Sequence, residues 1–266
     1  MAALPMYDFP ELRDAHDQFW AALARRLVAG GVSGVPKRLV RDVGHRETWR
    51  HPGLLLGQAC EYPISKSLRG SLRIIARPRY TAPGCDGDSY RSAVLVRVDE
   101  PAGSLADLRN RRCVINEPDS NSGMNLFRAA LASVAGGTRF FRSVRFSGSH
   151  RRSVELLAAD EADVTAVDCV TFAHLQRLYP ALVAYVKVVS WTPSSPCLPF
   201  VTSQATTDAT RQELCSALRD VFDDPRLARV RELLLLQGVD LEPDLTCGRV
   251  LELERQAEEW RYPTLL

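Results

Sequence analysis

Three times in succession between residues 112 and 178, a short apolar run breaks into a polar turn and hands over to a helix-spaced pattern. The first run, Cys113-Val114-Ile115, is β-prone and reads as a buried strand. Glu117-Pro118-Asp119 ends it. Ser120 then stands where a helix N-cap belongs, with Met124, Phe127, Leu131 and Val134 at helical spacing and Gly136-Gly137 as the stop. The second strand, 143–146, is interrupted by Ser147-Gly148-Ser149-His150 before a helix through Val154, Leu157 and Ala158. The third, 162–167, ends at Asp168, and a helix over 171–179 stops at Pro180. Strands alternating with helices call for an α/β fold with mostly parallel sheets.

Ligands of open α/β sheets bind outside the carboxyl ends of the strands, where helix N-termini also point. Three polar clusters in the same position of successive βα units should therefore converge on one edge. Ser120-Asn121-Ser122-Gly123 is a hydroxyl-rich first turn whose unpaired backbone N–H groups and macrodipole attract anions. His150 at the second helix start can add an Nε2–H or a charge. Asp168 repels an anion unless a proton lies between them, so it suits a protonated oxyanion or an amine on the ligand. Taken singly, each motif reads as readily as a plain helix cap or a solvent-facing turn.

The rest of the chain frames that run. Pro10 opens a helix with Leu12, Ala15, Phe19, Leu23 and Leu27 inward and Gly30-Gly31 at its end. Strands are expected at 4–7, 37–42, 54–56 and 72–76, and helices at 207–222, 227–236 and 250–260 with Leu251, Leu253 and Ala257 inward. Two segments, 93–98 and 183–199, flank the regular run like crossings between lobes. They make the first lobe discontinuous (1–96 and 197–266) and the second an insert (97–196). A chain of 266 residues has room for two such cores.

Charge and cysteine usage narrow the function. The 34 basic residues are balanced to a net charge of +2 and form no stripe, so nucleic acid is not an expected partner. Seven scattered cysteines without CxxC spacing argue for reduced thiols rather than a disulfide framework or zinc. No metal and no cofactor are expected. No apolar run reaches bilayer length, so no membrane insertion is expected. The opening residues MAALPMYDFPEL carry neither a basic n-region nor an apolar h-region, which predicts a cytoplasmic protein as encoded, or a periplasmic one if the N-terminus is incomplete.

Several of these segments resemble one family. Residues 104–108 (SLADL), 116–125 (NEPDSNSGMN), 148–153 (GSHRRS) and 162–171 (ADVTAVDCVT) follow the order and spacing of the PhnD family, substrate-binding proteins of phosphate, phosphite and phosphonate ABC transporters. Gln58–Pro63 (QACEYP) and Pro78-Arg79-Tyr80 resemble its first-lobe segments, so the likeness spans nearly the whole chain. It implies a two-lobed type 2 periplasmic-binding-protein fold, each lobe a mostly parallel sheet flanked by helices, with two crossover strands. It also implies that Ser120, Asn121, Ser122, Gly123, His150 and Asp168 hold an oxyanion, with Tyr62, Tyr80 and Tyr7 reaching it from the first lobe. Asn121 stands where that family commonly has Thr, and Glu61 where a small residue is expected.

The leading expectation is a solute-binding protein that captures a small phosphonate-, phosphite- or phosphate-like anion by lobe closure, without chemistry, and hands it to an ABC permease. The alternatives are a cytosolic enzyme on the same fold, with His150 and Asp168 as an acid/base pair, and a ligand sensor acting on an intracellular partner protein. No assembled nucleophile accompanies His150 and Asp168, so no catalytic residue is assigned.

Overall fold

The computed structural model describes residues 1–241, 243 and 247–265. The chain divides into two compact units: Met1–Thr81 with Cys197–Thr246, and Ala82–Pro196 with Cys247–Leu266.

In the first unit a five-stranded sheet runs in the order Ala2–Ala3, Leu56–Gln58, Phe200–Ser203, Leu72–Tyr80, Leu236–Asp240. Only the first pairing is parallel; the other three are antiparallel. Helix Arg13–Ala29 buries Phe19, Trp20, Leu23 and Leu27. Phe19 stacks on Phe200 at 6.2 Å and meets Phe222 of helix Asp208–Asp223 edge-on at 5.9 Å. Full burial of each such side chain contributes about 1.5–3 kcal/mol.

The second unit holds another five-stranded sheet, in the order Ser143–Phe146, Arg112–Ile115, Val164–Asp168, Ser92–Arg97, Val186–Trp191. The three strands of the βαβ run are mutually parallel. Ser92–Arg97 and Val186–Trp191 bring the chain into the run and out of it; Ser92–Arg97 pairs antiparallel with both Val164–Asp168 and Val186–Trp191. Phe127, Leu131, Phe140 and Phe141 fill the core beneath it.

Several expectations need correction. The first sheet is not mostly parallel, since three of its four pairings are antiparallel; in the second, four of the five strands run one way and only Ser92–Arg97 is reversed. The boundary expected at 97 falls at Ala82, since Ser92–Arg97 is an interior strand of the second sheet. The C-terminal helix, Gly248–Glu259, belongs to the second unit rather than the first. It buries Val250, Leu253 and Ala257, leaving Leu251 outward, and the Val250 carbonyl accepts a hydrogen bond from Asn125 Nδ2 at 3.2 Å. Residues 37–42 form no strand, and 236–240, read in part as helix, is one.

Among the described residues, no helix is long and apolar enough to cross a membrane and no cluster of three metal-ligating side chains occurs.

Candidate functional site

In the second unit the three parallel strands each end in a capped helix start, and parallel pairing puts all three at one sheet edge. Ser120 caps the first: its Oγ accepts from the Gly123 N–H at 3.0 Å. The turn that follows, Asn121–Asn125, is π-helical, with the Asn125 N–H reaching back to the Ser120 carbonyl at 3.0 Å. Such wide turns leave more first-turn donors outside the helical ladder and recur at functional sites. Ser149 caps helix His150–Ala158 through the Arg152 N–H at 3.1 Å. Asp168 caps helix Cys169–Leu178 through the Thr171 N–H at 2.9 Å, and its second oxygen accepts from the Thr171 hydroxyl.

Because the strand bearing Ser120 lies between the other two, the caps bring four side chains together. Ser120 Oγ and Ser122 Oγ are 3.3 Å apart, and Ser122 Oγ lies 2.8 Å from His150 Nε2. Asp168 Oδ2 is 3.5 Å from that same Nε2. His150 Nδ1 is buried without a hydrogen-bond partner. Burial pushes the imidazole below its ordinary value, against the opposing pull of the Asp168 carboxylate and the Ala166 carbonyl. The shift favours the neutral ring, which is polar without adding a net charge.

Gly123 sits tightly against its neighbours. A Cβ there would sit 1.9 Å from Asn116 Oδ1 and 3.3 Å from His150 Cε1. Asn116 Oδ1 is itself buried without a partner. Sequence reasoning passed over Asn116, and equally Ser92, whose hydroxyl donates to the Ser122 carbonyl at 3.0 Å and holds the turn from beneath. The available signal for Ser92 was a lone hydroxyl opening an otherwise apolar strand.

Asn121 is placed in the turn but its side chain is engaged elsewhere. Its Nδ2 donates to Tyr90 Oη at 3.2 Å and Ser195 Oγ at 2.9 Å, while its Oδ1 accepts from Asn125 at 3.0 Å. Both amide protons are thereby used in joining the turn to the short Ser89–Tyr90 and Ser195–Pro196 pair.

In the first unit, Tyr7 and Tyr80 meet edge-on at 5.6 Å, and Gln58 Nε2 donates to Tyr80 Oη at 2.7 Å. With Leu4, His16 and Phe19 they line a small, half-open recess of about 20 Å³. Tyr7 adopts a positive φ of 65°, uncommon for a bulky residue, just before Asp8 is held by Arg41 at 3.1 Å. Tyr62 lies in the short helix Glu61–Ser65 with the Lys66 ammonium 5.9 Å from its ring centroid. The local charge that Glu61 would bring is matched: its carboxylate is buried against the Arg77 guanidinium at 3.0 Å.

Residues 58–240 match the family described as ABC transporter, phosphonate, periplasmic substrate-binding protein. A binding-protein component of an ABC phosphonate transporter from Pseudomonas aeruginosa superposes with a TM-score of 0.77 at 16% identity, covering 97% of this chain and 86% of that one. PhnD1 from Prochlorococcus marinus, solved with methylphosphonate, gives a TM-score of 0.75 at 15% identity, covering 97% and 98%. A Xanthomonas citri protein solved with a chloride ion gives 0.73 at 16% identity, covering 98% of both. The search of curated proteins found no match. The two-lobed periplasmic-binding-protein fold follows from these likenesses, and the chain belongs to the phosphonate family of periplasmic ABC-transporter substrate-binding proteins.

Proposed function

We propose that Ser120, Ser122, Gly123, His150 and Asp168 form the oxyanion site of a solute-binding protein. The ligand is a small tetrahedral phosphonate, phosphite or phosphate that carries a proton on one oxygen. The hydroxyls of Ser120 and Ser122, the Nε2–H of a neutral His150 and the first-turn N–H groups supply donors, while Asp168 accepts the ligand's own proton. A fully ionised oxyanion such as sulfate has no proton to offer Asp168 and meets a bare carboxylate instead. Tyr7, Tyr62 and Tyr80 are proposed as the first unit's ligand contacts. The family's role implies delivery of the ligand to an ABC permease.

The observation that carries this reading is the crowding of Ser122 and Asp168 onto one ring nitrogen, His150 Nε2. In a nucleophile–base–acid relay the carboxylate holds the opposite nitrogen, freeing the first to take the nucleophile's proton. Here Asp168 lies at the same nitrogen as the serine, Nε2, rather than at Nδ1. That arrangement favours capture over turnover. The thiol that follows Asp168, Cys169, is held far above its ordinary value by the Cys85 contact and burial, which disfavours a standing nucleophilic thiolate beside the site.

Thermal-shift titration with methylphosphonate, phosphite, phosphate, sulfate and acetate tests the proposal, because binding stabilises by RT ln(1 + [L]/Kd). At 100-fold excess over Kd a stabilisation of about 2.7 kcal/mol is expected for one of the phosphorus oxyanions and none for sulfate. An equal response to sulfate overturns the protonated-ligand reading, and no response to any of the three phosphorus anions overturns the site. Phosphorus NMR of the bound ligand should show it unchanged over hours.

A further inference from the structure

A second chemistry lies within the same unit, on side chains the anion site does not use. Cys85 Sγ and Cys169 Sγ are 3.3 Å apart, although 84 positions separate them in the chain. Cys85 sits in a tightly folded loop: its N–H donates to the Ala82 carbonyl at 3.0 Å, and Asp86 and Ser89 exchange backbone hydrogen bonds at 2.9 and 3.0 Å. Gly84, at φ +100°, presses this loop onto its neighbours so closely that a Cβ would stand 2.7 Å from Trp191 and 2.9 Å from Cys169 Cβ. On the other side, the Cys169 N–H is fixed to the Arg91 carbonyl at 3.0 Å as the first residue of helix Cys169–Leu178. Two anchored backbones therefore hold the two sulfurs in contact. Closure to the ~2.05 Å of a disulfide asks for a shift on the order of an ångström between them.

We propose that Cys85 and Cys169 are a dithiol that closes to a single disulfide when the protein meets a low-molecular-weight or protein disulfide as oxidant. Cys85 is half-buried and Cys169 buried, so the oxidant reaches Cys85 first. The Cys85 thiolate attacks one sulfur of the oxidant, breaking its S–S bond and releasing the first thiol, which takes up the Cys85 proton. Cys169 then loses its proton and attacks Cys85 Sγ, expelling the second thiol. Two protein thiols give up two electrons and two protons, and one external disulfide becomes two thiols. Once Cys85 is in the mixed disulfide its contact no longer raises the Cys169 thiol, but burial still disfavours the thiolate and makes the second step the slow one. The product fastens the loop at 82–87 to the residue that follows Asp168, and cross-links a long stretch of the unfolded chain.

The experiment is incubation of the full chain with oxidised glutathione, then alkylation, intact mass and peptide mapping. We expect a loss of two hydrogens, one mapped Cys85–Cys169 bond, and a Tm increase of about 5–15 °C from the long closed loop. Cys85→Ser should abolish both changes, while Cys215→Ser, at a half-buried thiol away from this pair, should leave them intact. Should Cys169→Ser fail to fold, Cys85→Ser alone still decides the matter. A different mapped pair, stable glutathionylation of Cys85 without disulfide closure, or a fall from six free thiols to four in oxidised Cys85→Ser would overturn the proposal.

Discussion

The edge of the second unit's sheet and the recess of the first unit are built by opposite means. In the second unit, Ser120, Ser149 and Asp168 each cap a helix start with their own side chains, so position follows from local backbone chemistry. The helices then hold His150 and Ser122 within 2.8 Å of each other. In the first unit, ring packing joins Tyr7 to Tyr80, and Gln58 donates a hydrogen bond to the Tyr80 hydroxyl. Polar groups fixed by caps leave little room to adjust; aromatic rings resting on one another can be trimmed at modest cost. The first arrangement suits a charged ligand of fixed geometry, the second a ligand surface of variable shape.

Substitutions should expose that contrast, beginning with the most damaging. Gly123→Ala places a methyl 1.9 Å from Asn116 Oδ1, so either the turn or Asn116 must move. We expect a stability loss of about 1–3 kcal/mol by chemical denaturation and loss of oxyanion binding by calorimetry. Wild-type affinity in this variant would show the turn to be adaptable after all. Ser122→Ala and His150→Ala each remove one donor. Each should weaken binding by roughly 10–100-fold, with the fold retained by circular dichroism.

Acid titration separates the two units by window. His150 is held below its ordinary value, so the unfolded chain takes up that proton first; this contribution is complete above pH ~6.5 and is lost as pH falls below it. Asp8 in the first unit behaves like a paired carboxylate. Burial pushes it up, but hydrogen bonds from His16 and Arg41 outweigh that and hold it below its ordinary value. Its contribution is present above pH ~3.8 and disappears as pH falls through the lowered folded value. Tm measured against pH should decline in two stages, and His150→Gln should flatten the upper one alone. The smallest effect is expected for Tyr80→Phe, which removes only the hydroxyl that accepts from Gln58. Its cost should be about 1 kcal/mol or less in stability, and under 10-fold in affinity.

The same contrast explains what could be read from the chain. The caps at Ser120 and Asp168 were legible because a cap and its helix are neighbours in sequence, and so was their convergence once the strands were parallel. The direction taken by Asn121 was not, since its partners Tyr90 and Ser195 lie 31 and 74 positions away. Nor was the allegiance of the C-terminal helix: an amphipathic face announces that it will be buried, not against what. Leu233–Leu236 satisfied a helical period as well as a strand's, and the turn between the helix and strand there rests on Leu235 at φ 57°, which no apolar pattern discloses. Tyr7 was found as a candidate, but its left-handed backbone was not.

Asp168 holds Thr171 with both carboxylate oxygens, through the backbone N–H and the side-chain hydroxyl. At the proposed site, a guest that brings its own proton takes the second lone pair of an oxygen that already accepts from Thr171 and weakens that bond. Occupancy and the fraying of that helix's opening turn are then thermodynamically joined, each reporting on the other. The amide of Thr171 becomes an internal gauge of whether the protein is loaded, readable by exchange with solvent and without any attached label.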